Sequence, residues 1–181
     1  MKILAGSLRS RELILPKGLQ SRPTSARMRA QVFNICQHAI EDAHFLDIFA
    51  GTGAIGFEAI SRGAASCTFI EKDKLALRAL YTNIKQFNLE QSCHVIGLNA
   101  LQAIPKLNTS FSIIYIDPPY AFDKQALSDL LTSLDQHLDV EEGVYLFLET
   151  RKNTFSLPPL TSFCSSECRR AGDTDLFILR S

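Results

Sequence analysis

The run Asp117-Pro118-Pro119-Tyr120 follows directly on the apolar stretch Phe111-Ser112-Ile113-Ile114-Tyr115-Ile116. Two prolines cannot continue a sheet ladder, so the stretch reads as a buried parallel strand whose carboxyl end opens into a rigid loop. Ligands of open α/β sheets bind at such strand ends. An acid, two proline carbonyls and a flat ring at that point surround one small pocket, and the set suits a planar amine. A turn after a strand would explain the prolines but not the whole set.

A second cluster runs Asp47-Ile48-Phe49-Ala50-Gly51-Thr52-Gly53-Ala54-Ile55-Gly56. Its glycines satisfy G-x-G-x-x-G at a strand-to-helix junction, where the backbone can approach a ligand. Glu71, twenty residues after Gly51 (71 − 51 = 20), equally fits an acid holding the ribose of a nicotinamide cofactor. Asp47 tilts the choice. An acid four residues before the first glycine would repel a pyrophosphate and attract a ligand carrying an ammonium and a sulfonium. The short tail after this domain also shows no hydride-transfer machinery, so S-adenosylmethionine fits better than NAD. Glu71 ends the run Cys67-Thr68-Phe69-Ile70, where its carboxylate could accept both ribose hydroxyls, although an exposed acid of a charge run reads the same way. Asn99 and Ala100 follow the strand-like run His94-Val95-Ile96-Gly97. Asn99 could meet an adenine amino group or simply cap a helix before Leu101.

Charge points to a partner. The chain balances 19 basic against 19 acidic side chains, but residues 1–30 hold Lys2, Arg9, Arg11, Lys17, Arg22, Arg27 and Arg29 against Glu12 alone. That is 7 − 1 = +6, leaving −6 for residues 31–181. Such polarity suggests that the amino-terminal end meets a polyanion, five arginines suiting phosphate and base edges, with a solvated arm as the plain alternative. Cys36, Cys67, Cys93, Cys164 and Cys168 are odd in number and lack Cys-x-x-Cys spacing, so reduced, mostly buried thiols are expected, with no disulfide framework and no metal. The four histidines show no partner spacing. The apolar start is too short for a signal peptide and no stretch suits a membrane span, so a cytoplasmic protein is expected.

The elements that must position these groups can be read in outline. At 181 residues and 46% hydrophobic the chain can bury one substantial core. Lys2 to Leu4 and Glu12 to Leu15 suggest a hairpin around a turn containing Gly6. Ser25 can cap a helix whose stripe is Met28, Val32, Ile35 and Ala39, which would turn Arg27 and Arg29 outward. From Phe45 onward strands near 45–49, 66–70, 93–97, 111–116 and 143–149 alternate with helices near 54–62, 73–87, 100–105 and 124–136. That alternation implies an α/β fold, a parallel sheet covered on both faces. Thr161 to Cys168 and Asp175 to Leu179 could add an antiparallel pair at its edge.

Together these residues resemble the class I methyltransferases and, within them, the bacterial 16S ribosomal RNA guanine-N2 methyltransferases of the RsmD type. The resemblance is nearly full length. It rests on Leu8 to Leu13, Arg22-Pro23-Thr24-Ser25-Ala26-Arg27-Met28-Arg29, Asp47 to Gly56 with Glu58 to Ala64, Ile70 to Asp73, and Asp117 to Tyr120. It implies a Rossmann-like, seven-stranded sheet in the order 3-2-1-4-5-7-6. It further implies an RNA-contacting extension over residues 1–24 and a methyltransferase domain over 25–181. Asp47, Phe49, Gly51, Thr52, Gly53, Glu71, Lys72, Asn99, Ala100 and Asp117 would hold S-adenosylmethionine, with no metal. Asp117 and the Pro118 carbonyl would accept the two hydrogens of a guanine amine whose lone pair is delocalised, while Tyr120 stacks on the extruded base and the prolines stiffen the loop. Arg9, Arg11, Arg22, Thr24, Arg27 and Arg29 would contact 16S rRNA, within the small ribosomal subunit or an assembly intermediate, and a monomer is expected. DNA adenine and protein glutamine are the alternative planar amines.

Overall fold

A computed structural model describes residues 1–16, 25–138 and 140–181. Its centre is a seven-stranded sheet in the order β3-β2-β1-β4-β5-β7-β6, the order expected above. β1 (His44–Ile48), β2 (Ser66–Ile70), β3 (Cys93–Ile96), β4 (Ile113–Ile116) and β5 (Tyr145–Arg151) run parallel, and β6 (Ser165–Ala171) and β7 (Thr174–Arg180) complete it antiparallel. The parallel strands are nearly continuous apolar runs because both of their faces are covered; Ile113 to Ile116 are all buried. The helices are α1 (Ala26–Ile35), α2 (Ala54–Ser61), α3 (Lys74–Phe87), the short α4 (Ala100–Ala103) and α5 (Lys124–His137).

Two apolar layers sandwich the sheet. On one face α1, α2 and α3 contribute Val32, Phe33, Phe57 and Leu80 against Phe45, Phe69, Tyr115 and Phe147. On the other, Leu127, Leu130, Leu131 and Leu134 of α5 pack on Leu46, Ile114, Ile116 and Leu148. Four leucines at helical spacing are what one buried stripe requires. Pro105 lies in the 3-10 turn Ile104–Lys106 that ends α4, so the helix expected to 105 stops at Ala103.

Three expectations need correction. The amino-terminal hairpin is reduced to a single antiparallel bridge, Lys2 to Glu12. The edge pair begins at Ser165 rather than Thr161, because the Asp135 carboxylate takes the Thr161 and Ser162 N–H groups at 2.8 Å each and removes them from the ladder. Arg29 does not face outward. The buried residues of α1 are Met28, Arg29, Val32 and Phe33, a stripe centred one position away from the expected one. Arg29 donates to the Lys2 carbonyl at 3.1 Å and lies 3.8 Å from Glu58, so it fastens the interior and offers no phosphate contact.

Glu58 is fully buried and holds the amino-terminal segment in place. Its carboxylate accepts the Leu4 and Ala5 N–H groups at 2.7 and 3.0 Å and pairs with Arg62 at 2.8 Å. Ile3, Leu8 and Leu13 join the same apolar layer as α1 and α2. Asn83 of α3 fixes the other end, exchanging hydrogen bonds with the Ile14 backbone and reaching the Thr52 carbonyl at 3.3 Å. The segment thereby ends beside the carboxyl edge of the sheet.

Candidate active site

At that edge lies a cavity of about 1270 Å³. Its walls come from the β1–α2 loop (Phe49, Gly51, Thr52), the end of β2 (Glu71, Lys72), the start of α4 (Asn99, Ala100), and the loop Asp117 to Phe122. Arg27 and Met28 of α1, and Glu149 and Thr150 of β5, close the remaining side. Strand order explains the convergence. β1 sits between β2 and β4, and the connections leave to opposite faces, so the three strand ends open around one crevice.

The glycine loop divides its labour. Gly51 has φ +56°, and a side chain there would meet nothing within 4 Å, so its open face belongs to the cavity. Gly53 (φ +84°) has no such freedom, since a Cβ would lie 2.5 Å from Phe57 and 2.6 Å from Leu80. Gly56 would press on Phe69 and Cys67. Gly53 thus lets α2 and α3 close on the sheet. The N–H groups of all three glycines are taken by the protein itself: Gly51 by the Glu71 carboxylate at 2.8 Å, Gly53 by the Ala50 carbonyl at 2.9 Å, and Gly56 by the Asp47 carboxylate at 3.1 Å. A pyrophosphate needs such donors at this turn, and two of them already serve carboxylates.

Asp47 lies beneath the loop, 2% exposed. Burial pushes its carboxyl up from an ordinary 3.8 to about 7; the Gly56 N–H pulls it back in part, while the Asp117 and Glu71 charges add to the rise. Asp47 stands behind the residues that line the cavity, bonded to the Gly56 N–H. Glu71 also accepts the Lys72 and Asp73 N–H groups at 2.7 and 2.8 Å. Three backbone bonds fill most of the roughly four acceptor sites of a carboxylate, so one ribose hydroxyl is accommodated more readily than two. The Asn99 oxygen caps α4 by accepting the Leu101 N–H at 3.0 Å, while the residue also lines the cavity.

The opposite wall is built on Phe49, held at φ +64°, where a residue with a side chain carries strain. Its ring meets Phe122 edge-on at 4.9 Å. In the tetrapeptide loop the Asp117 N–H donates to the Ile48 carbonyl at 3.4 Å, and the Pro119 carbonyl is taken by Phe122 at 2.7 Å. Pro118 is buried and Tyr120 is exposed at the cavity mouth. Glu149 was not foreseen from the sequence. Because Ile116 pairs with Leu148, the next residues, Asp117 and Glu149, emerge side by side. The Glu149 carboxylate is held by the Tyr115 hydroxyl. The signal was present, since the strand expected over 143–149 ends on this acid.

Of the arginines expected to meet RNA, Arg27 lines the cavity. Arg9 is exposed on the amino-terminal turn, and Arg11 sits over Phe87 at 5.1 Å and donates to the Gln86 carbonyl, at the far end of α3. Arg22 and Thr24 lie outside the described residues. Cys36, Cys67 and Cys93 are buried, and Cys164 and Cys168 are exposed. Among the described residues no cluster of acids, histidines and cysteines is arranged to hold a metal, and no helix is long and apolar enough to cross a membrane.

A doubly covered sheet of this order, with an acid-bearing glycine loop at the end of β1 and Asp-Pro-Pro-Tyr at the end of β4, defines a class I methyltransferase. The chain belongs to the family described as Conserved hypothetical protein 95, which it matches over residues 1–180. It is 32% identical to the ribosomal RNA small subunit methyltransferase D of Escherichia coli, over 83% of this chain and 74% of that protein. It is 30% identical to the protein of the same name from Buchnera aphidicola, over 87% and 81%. The solved structure of yhhF from Escherichia coli is 31% identical and superposes with a TM-score of 0.87, covering 100% of this chain and 98% of that one.

Proposed function

We propose that this protein transfers a methyl group from S-adenosylmethionine to the N2 amine of a guanine in 16S rRNA, acting as a cytoplasmic monomer on the small ribosomal subunit or an assembly intermediate. The observation that carries the reading is the meeting of Asp117 to Tyr120 with the Gly51 loop and Glu71 in one cavity. The residues fit the cofactor: Glu71 suits a ribose hydroxyl, Ile70, Leu75 and Leu98 offer apolar walls to an adenine, and the carboxylates about the β1 end favour a cationic tail over a pyrophosphate. When bound there, S-adenosylmethionine supplies an electrophilic methyl on a positively charged sulfur.

The protein's own residues act on the amine. Asp117 and the Pro118 carbonyl accept its two hydrogens, so the lone pair is withdrawn from the ring and aimed into the cavity. Asp117 then takes the proton that the methylated nitrogen sheds. Tyr120 stacks on the extruded base, a contact worth about 1–3 kcal/mol, comparable to the unstacking it offsets. The relatives named small subunit methyltransferases support rRNA as the source of the base. Substituting Asp117→Ala tests the assignment: methyl transfer should fall by at least about a hundredfold while the melting temperature holds. Near-normal turnover would reject Asp117 as the acceptor.

A further inference from the structure

A second recess, of about 550 Å³, opens beside the first, between α1 and the edge strands, and is lined by Arg27, Gln31, Asn34, Arg169 and Arg180. Arg27 borders both recesses, so the two are neighbours across one side chain. The placement follows from register. Arg169 pairs with Leu176 and Glu167 with Ile178, and paired residues share a face. Leu176 and Ile178 belong to the apolar layer under α1, so Arg169, Glu167 and Arg180 rise on the side of α1. α1 turns Met28, Val32 and Phe33 inward and offers Arg27, Gln31 and Asn34 to the recess.

The charge there is three arginines against one acid. Glu167 lies 2.9 Å from Arg169 and 3.6 Å from Arg180, a bridge whose members are all more than two-fifths exposed, so water already weakens it. The guanidinium of Arg180 is steadied over the Tyr145 ring at 5.4 Å, and its buried Nε has no hydrogen-bond partner. Arginine forks flanked by two amide side chains offer N–H donors to phosphate oxygens. Arg169 stands level with Glu149 at the cavity end of the recess, whereas Arg180, paired with Tyr145, lies four residues or about 13 Å further down the strands, so the recess runs away from the cavity as a strand carrying a target base would continue.

Resting on the reading of an RNA substrate, we infer that the recess between α1 and β6 is a phosphate-binding groove that seats the RNA backbone leading away from the methylated nucleotide, with Arg27 and Arg169 as its near contacts and Arg180 as its far one. The amino-terminal arginines are thus half of the polyanion surface. The other half comes from the carboxyl-terminal edge strands, where a net-negative sequence conceals it.

The test is binding of the full-length protein to unmodified 16S rRNA transcript across salt concentrations, alongside titration with S-adenosylhomocysteine. Each phosphate contact contributes about 0.7 to the slope of log affinity against log salt on single-stranded RNA, so Arg169→Ala with Arg180→Ala should lower the slope by about 1.4. Between about 50 and 200 mM salt the wild type would then lose about sevenfold more affinity than the variant. Arg180→Lys should keep the slope, and Glu167→Gln should tighten binding, which loss of fold could not do. Cofactor affinity should stay unchanged in all of them. A double variant with the wild-type slope overturns the groove, as does Glu167→Gln binding more weakly. If methyl transfer to RNA is present in the wild type while these variants bind alike, the groove fails and the function stands.

Discussion

Gly51 and Gly53 both adopt positive φ in one loop, yet the structure assigns them separate work, and alanine at each should fail differently. At Gly53, φ +84° places an alanine in a left-handed conformation costing about 1–2 kcal/mol, and its Cβ would sit 2.5 Å from Phe57 and 2.6 Å from Leu80. Overpacking of that kind adds about 1–3 kcal/mol, for a total of about 2–5 kcal/mol. In a chain of this length that lowers the melting temperature by about 4–20 °C. At Gly51 only the conformational part applies, because nothing lies within 4 Å of the new methyl. That methyl enters the cavity instead, and a loss of tenfold or more in S-adenosylhomocysteine affinity, about 1.4 kcal/mol, is expected. Thermal melts paired with calorimetric titration, below the transition of both variants, read the two effects apart. Gly53→Ala should be the less stable and bind the ligand nearly as the wild type does. Equal melting temperatures, or an equal loss of affinity, would refute the division.

Glu58→Ala should destabilise the protein by about 3–5 kcal/mol, since it strands buried Arg29 and releases the Leu4 and Ala5 amides. Hydrogen exchange should then report faster opening of residues 1–13, and an unchanged rate there would contradict the anchoring role. Asp47 gives a pH signature. Its carboxyl titrates higher folded (about 7) than unfolded (about 3.8), so its contribution to stability is complete below about pH 4 and is lost as pH rises through about 7. Asp47→Asn should therefore gain on the wild type in stability between pH 5 and pH 8, by at most about 3 kcal/mol, read as a rising difference in melting temperature. A difference that stays flat with pH would exclude a buried, titrating Asp47. Exchanging Arg27→Ala should weaken RNA binding and leave S-adenosylhomocysteine affinity within about twofold, the opposite of Gly51→Ala.

The elements legible in the sequence were those whose pattern is local. Ile113 to Ile116 and Leu127 to Leu134 announce a buried strand and an amphipathic helix without help from the rest of the chain, and Asp117 is placed by the prolines after it. What escaped depends on partners distant in sequence. Arg29 reads as a surface arginine until Glu58, on another helix, supplies its countercharge. The packing of Gly53 and Gly56 against Phe57, Leu80 and Phe69 is not visible in the glycine spacing. Glu149 becomes a neighbour of Asp117 only through the β4–β5 register, and Arg169 joins Arg27 only because β6 turns back along β7 beneath α1. The Asp135 carboxylate that delays β6 by four residues is likewise a contact no window along the chain contains.

The most direct measurement of the central claim is transfer of a labelled methyl group from S-adenosylmethionine to unmodified 16S rRNA, offered naked and in small subunits, followed by digestion and nucleoside analysis. The account predicts label in N2-methylguanosine, dependent on Asp117. Label in methylated adenine or only on protein, or no transfer to either form of the RNA, would contradict it.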